Sequence, residues 1–160
     1  MRTLLIALLI TFSLPGRGQA QQGSAHLPDP KLTPGAAQKV TKDDLCGSGS
    51  KAFDGSVPIS LKRKVFERYR IRLDGGTAYN IDRLIPVSLG GSNAITNLWP
   101  QPLSGEWHYA KKNKLEQRLH KLVCSGELDP EKAQQEISTD WISAYKKYLG
   151  APGRQPSEPK

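Results

Sequence analysis

Tyr79-Asn80-Ile81-Asp82-Arg83-Leu84-Ile85-Pro86, then Leu89-Gly90-Gly91-Ser92-Asn93 and Asn97-Leu98-Trp99-Pro100-Gln101, form the stretch on which the fold turns. The alternation from Ala78 to Leu84 reads as a strand, and Pro86 stops it or confines it to an edge. Asp74-Gly75-Gly76 marks a turn before it, and Gly90-Gly91 marks a tight turn after it. A second short strand follows at Asn97-Leu98-Trp99.

Outward from this centre the periodicity changes to that of helices. Leu61, Val65, Phe66 and Tyr69 recur at helical spacing over 59–69, with Lys62, Arg63, Lys64 and Arg68 on other faces. A helix over 107–123 carries the stripe Leu115, Leu119, Leu122 and Val123 and ends at Gly126. A third starts at Asp129-Pro130, where the Asp caps and the Pro suits the first helical position. Ala133, Ile137, Trp141, Ala144 and Tyr148 then line one face, and the aromatics among them read as core. There are no internal repeats, and the order is that of an α+β domain.

The ends of the chain read differently. Residues 1–20 have the pattern of a signal peptide: a basic Arg2, an apolar run from Leu4 to Leu14, Pro15, and small residues up to Gly18-Gln19-Ala20. The apolar run is too short for about 30 Å of hydrocarbon, and no Cys stands near the cleavage point for acylation. Residues 21–39, rich in Pro and Gly, read as a flexible linker with His26 as a solvated bystander, and 150–160 read as a disordered tail. The folded unit expected is 40–149, one domain in an exported protein of the periplasm or the extracellular space.

The 160-residue chain has a net charge of +8, and loss of Arg2 and Arg17 with the leader leaves 21 basic against 15 acidic residues. That balance suits a polyanionic partner such as nucleic acid, though solubility alone accounts for it as well. Cys46 and Cys124 are the two cysteines, and in an oxidising compartment they predict one disulfide, worth roughly 2–4 kcal/mol for so long a loop. Metal binding by these cysteines is the weaker reading, since neither is read as having a Cys or His at ligand spacing. No paired-carboxylate or nucleophile pattern points to a glycosidase or a protease.

The quoted stretch resembles the core of secreted bacterial HNH endonucleases, members of the ββα-metal class. Leu115-Glu116-Gln117-Arg118-Leu119-His120, Val123-Cys124-Ser125-Gly126 and Asp140-Trp141 are similar to the C-terminal helices of that family, and weaker similarity reaches Pro34-Gly35 and Cys46. The resemblance implies a ββα-metal core with one helix before it and two after it. It implies Asp82 and His108 as metal ligands, Asn97 as the residue bracing the loop, and a divalent ion, Mg²⁺ by preference, acting on nucleic acid, DNA before RNA. Asn97 stands 14 residues and His108 25 residues after Arg83, which occupies the position of the family's catalytic His.

That one departure decides the chemistry. Hydrolysis of a phosphodiester needs charge stabilisation, a neutralised leaving oxygen and a deprotonated water. A guanidinium stays protonated throughout the working pH range and cannot accept the proton, and general-base help is worth about 10²–10⁴-fold in rate. His120 cannot substitute, because 12 residues of helix put it about 18 Å from His108. Two readings therefore stand. Arg83 clamps a scissile phosphate while water is activated another way, or its charge fills the place of the metal and the site binds phosphate without cutting. Lys111, Lys112, Lys114 and Arg118 follow His108 and form, with Arg83, the expected nucleic-acid face. Trp99 and Trp107 are read as packing beneath the loop rather than stacking on bases.

Overall fold

The computed structural model describes residues 27–47, 56–71 and 78–150. The expected signal peptide, His26, the Asp74-Gly75-Gly76 turn and residues 151–160 of the tail lie outside them. The described part is a mixed α+β fold of four α-helices and one two-stranded sheet. In chain order these are α1 (Lys42–Cys46), α2 (Ile59–Arg68), β1 (Tyr79–Arg83), β2 (Leu98–Pro102), α3 (Tyr109–Ser125) and α4 (Pro130–Leu149), with single 3₁₀ turns at Val87–Leu89 and Ile95–Asn97.

β1 and β2 pair antiparallel, with Asp82 opposite Trp99 and Arg83 opposite Leu98. Backbone bonds from Leu84 N to Asn97 O and from Leu103 N to Ala78 O bound the ladder. This register leaves Pro100 and Pro102 opposite Ile81 and Tyr79, at the positions that exchange no ladder bonds, so their missing N–H groups cost nothing. The alternation of a strand then assigns the two faces: Asp82 with Trp99 on one, Ile81 with Leu98 on the other.

Each face is covered by helices. Ile81 and Leu98 pack with Val65 of α2 in a small apolar cluster. Trp99 belongs to the main core with Leu115, Leu119 and Val123 of α3 and Ala133, Ile137 and Trp141 of α4. Trp107 meets Trp141 and Tyr145 edge to face, with centroids 5.8 and 5.5 Å apart. The stripes of α3 and α4 read from the sequence are buried, although Tyr148 is only partly so, and in the α2 stripe Val65 is buried while Leu61, Phe66 and Tyr69 are partly buried.

Local chemistry sets the helix ends. Asp129 accepts from the N–H groups of Glu131 and Lys132, and Gly126 closes α3 in the left-handed conformation. The third expected helix is less regular than its stripe suggests. Asp140 leaves helical geometry (φ −160°, ψ 96°), and its Oδ1 accepts from Ile142 N and Ser143 N, so it caps a second helical segment inside α4.

The segment expected to be a linker is tied down over its described part, and this corrects the reading of 27–39. Gly35 N donates to Thr96 O, Gln38 N to Gly90 O, and Ala37 forms a β-bridge with Gly91. Thr33 is buried, sharing a hydrogen bond with the Tyr69 hydroxyl and donating to Leu98 O. Its prolines and glycines thus shape an extended strap over the central loop. The absence of apolar periodicity concealed this, because the strap is held by backbone bonds.

The expected disulfide is present. Cys46 and Cys124 are bonded, with Cα atoms 5.6 Å apart and a sequence separation of 78, and they join α1 to the end of α3. No helix among the described residues is long and apolar enough to cross a membrane.

Candidate phosphate-facing site

The site begins with the loop between the strands, and Asn97 holds that loop. Its side chain is fully buried. Its Nδ2 donates to Ile85 O and Ser92 O, both at 2.9 Å, and its Oδ1 accepts from Ile85 N at 3.0 Å and Ala36 N at 3.3 Å. One amide thus satisfies four backbone groups and fastens the strap to the loop. The turn beneath needs its glycines. Gly90 sits at φ +83°, and a Cβ on Gly91 would lie 1.8 Å from Ile85 O.

At the end of β1, Asp82 and Arg83 are drawn to different partners. Arg83 Nε donates to Asn93 Oδ1 at 2.9 Å, Nη2 reaches the same oxygen, and Asn93 Nδ2 donates to Ser56 O. Asp82 Oδ2 accepts from Trp99 Nε1 at 3.2 Å. The same oxygen lies 2.7 Å from Lys112 Nζ.

Lys112 is the residue whose place the sequence misjudged. Its place in the run Lys111, Lys112, Lys114 puts it on the expected nucleic-acid face, yet it is fully buried. Its ammonium meets three oxygens: Asp82 Oδ2 at 2.7 Å, Arg83 O at 2.7 Å and Glu116 Oε1 at 2.5 Å. Three donors find three acceptors, so the group is fully satisfied. Burial disfavours the charge of Lys112, but the carboxylates of Asp82 and Glu116 together outweigh it and hold the ammonium above the ordinary lysine range. Glu116 moves the other way in effect. Burial raises its carboxyl above the usual range, Asp82 adds to that rise, and Lys112 and Arg83 only partly offset it. A pair of carboxylates sharing one lysine shows this pattern.

Two further expectations are corrected here. The internal positive charge beside Asp82 belongs to Lys112, whereas the Arg83 guanidinium is engaged with Asn93. Lys112 also leaves the list of surface contacts, so Lys111, Lys114 and Arg118 remain from that helix. Lys114 and Arg118 are exposed, and Lys111 lies with its Nζ 4.9 Å from the ring centre of Trp107.

His108 caps the N-terminus of α3 through its extended backbone, without a side-chain cap bond. Its Nδ1 is buried and has no hydrogen-bond partner among the described residues, and its ring packs edge to face with Tyr109. The Asp82 carboxylate meets the ammonium one helical turn further on, not this imidazole. The residues present therefore do not fit a divalent ion shared by Asp82 and His108, since the cation place at Asp82 is filled by Lys112. The side-chain nitrogen and oxygen of Gln101, on the same face of the ribbon as Asp82, are likewise buried without partners among the described residues.

Among the described residues, the one group of three candidate ligand atoms within 4.8 Å of one another is Cys46, His120 and Cys124. It lies at the disulfide, in the C-terminal part of α3. His120 is one helical turn before Cys124, so a His does stand at ligand spacing from a cysteine, which the sequence reading missed. Such a group can bind a metal ion only with the thiols reduced, whereas here both sulfurs are joined to each other. The His120 Nε2 lies 3.3 Å from Leu45 O and 3.5 Å from Cys124 Sγ, the structural role expected of it.

No family model, curated protein or solved structure matches this chain.

Proposed function

We propose that this chain is an exported protein on an HNH-endonuclease-like scaffold, and that it binds the phosphate backbone of nucleic acid, DNA before RNA, without needing a divalent ion. The observation that carries this reading is the buried Lys112 ammonium on Asp82. With Arg83 where a base is wanted and an ammonium where an ion is wanted, two of the three requirements for hydrolysis are recast. The requirement that remains is positive charge held at the end of a braced strand, which serves phosphate recognition. Arg83, Lys111, Lys114 and Arg118 supply the contacts.

Binding of a fluorescein-labelled duplex, followed by anisotropy, tests this reading. The expected result is equal affinity in EDTA and in Mg²⁺, with a steep loss as salt rises. Joint Lys114→Ala and Arg118→Ala substitution flattens the salt slope by about 0.9 for each phosphate contact removed. Affinity that appears only with a divalent ion overturns it.

A second reading, metal-dependent cleavage of nucleic acid, is favoured by one observation: Asn97 braces the loop as the nuclease resemblance requires. Plasmid nicking in Mg²⁺ or Mn²⁺ by the oxidised protein decides between the two. Nicking that persists in His108→Ala assigns the cleavage to another site.

A further inference from the structure

The geometry points to Lys112 as a built-in replacement for a metal ion: its ammonium sits among Asp82 Oδ2, Glu116 Oε1 and Arg83 O, and these oxygens form a latent hard-cation site that opens when the ammonium is removed. The inference deepens the function proposed above and rests on that reading for its biological meaning, but its chemistry stands apart from nucleic acid.

Three facts carry it. The three oxygens lie within 2.5–2.7 Å of one nitrogen, so they already converge on a single point. They are two carboxylates and a backbone carbonyl, the donor types that Mg²⁺, Ca²⁺ and lanthanides prefer. They also come from parts of the fold that are fixed independently. Asp82 is held by Trp99 Nε1, the Arg83 carbonyl belongs to a strand paired with β2, and Glu116 follows Lys112 by one turn of α3.

Lys112 excludes an ion by charge and by position. An entering cation would have to displace a buried ammonium that has no solvent of its own, and Asp82 and Glu116 each keep only 18% of their side-chain surface exposed. The lysine also does what an ion would do for the fold, bridging the end of β1 to α3. Glu116 is the member of this set that no sequence motif singled out. Its role is visible only once helix α3 is placed against the strand.

Terbium luminescence tests the inference without nucleic acid, because Trp99 Nε1 is 3.2 Å from Asp82 Oδ2 and its indole can sensitise an ion bound there. Wild-type protein titrated with Tb³⁺ should show only background emission. Lys112→Ala should show a severalfold rise saturating at one ion per chain, competed by Ca²⁺ and abolished by adding Asp82→Asn or Trp99→Phe. Strong emission from wild type that Asp82→Asn removes would overturn the inference, as would a folded Lys112→Ala that stays dark.

Should Lys112→Ala fail to fold, the wild type decides alone. A slowly exchanging lysine ammonium resonance, absent in Lys112→Arg, should persist unbroadened when Mn²⁺ is added. Its loss to Mn²⁺ would show that an ion displaces the lysine. Failure of DNA binding with these results intact would sink the proposed function and leave the resident cation standing.

Discussion

The loop braced by Asn97 and the charged seam closed by Lys112 lie at opposite sides of the same strand end, and both bury polar groups completely. They do so at different expense. Asn97 is neutral and satisfies backbone groups that would need partners in any case, so its burial is nearly pure gain. Lys112 is charged, and taking three charged groups out of water offsets much of what their attraction returns. The loop therefore shows what the fold needs in order to stand. The seam shows a position held for its charge, since apolar residues of similar size could bridge strand and helix as well.

Breaking one side of the seam should have the largest effect. Lys112→Met leaves two largely buried carboxylates without their cation and should cost about 3–5 kcal/mol, read from the urea midpoint. Adding Asp82→Asn and Glu116→Gln to it should recover part of that loss. A triple variant as unstable as the single one would mean that Lys112 acts through packing, and the contrast with Asn97 would fail. Asn97→Ala should come next, at about 3 kcal/mol, because Ile85 N and Ile85 O lose buried partners worth roughly 1–3 kcal/mol each. This loss should be the same at low and high salt.

Titration sharpens the contrast. The folded-state pKa of Lys112 is raised, so its contribution is fully present below the ordinary value of 10.5 and is lost as pH rises through the raised value. The stability gap between wild type and Lys112→Met should stay level from neutral pH to about 10.5 and shrink only above it, in equilibrium unfolding at each pH. Glu116 is also raised, so its contribution is present below 4.5 and declines as the pH climbs past it. Wild type should lose ground to Glu116→Gln over that rise. The cost of Asn97→Ala should follow neither window, as no group of the brace titrates.

What was legible in the sequence follows the same division. Helix stripes, the Asp129 cap and the strand pair depend on local pattern, and they stand in the structure, whereas the bracing expected of Asn97 is what the family resemblance implies and not a product of spacing. Lys112 was not legible, because in a helix whose neighbours are Lys111 and Lys114 a lysine reads as solvated face. Its burial depends on where α3 crosses the end of β1, and the i,i+4 spacing to Glu116 was the one local signal available. The strap at 27–39 was missed for a related reason: extended segments held by backbone bonds leave little trace in side-chain periodicity. His108 was placed correctly in sequence, at the start of a helix, but the carboxylate it was expected to share is taken by a residue one turn on.

The smallest effect expected is also the most discriminating. Arg83→His restores a group able to accept a proton while leaving Asn97 and Lys112 untouched, and losing the hydrogen bonds to the exposed Asn93 should cost less than about 1 kcal/mol. If the seam rather than the missing base sets the chemistry, this variant gains no plasmid nicking in Mg²⁺ or Mn²⁺, for the ammonium still occupies the place beside Asp82. A base without a hard cation cannot neutralise the leaving oxygen, and the transition state keeps most of its barrier. Nicking by Arg83→His alone would show the reverse: that one letter silenced the site, and that Lys112 yields to an ion when the reaction calls for one.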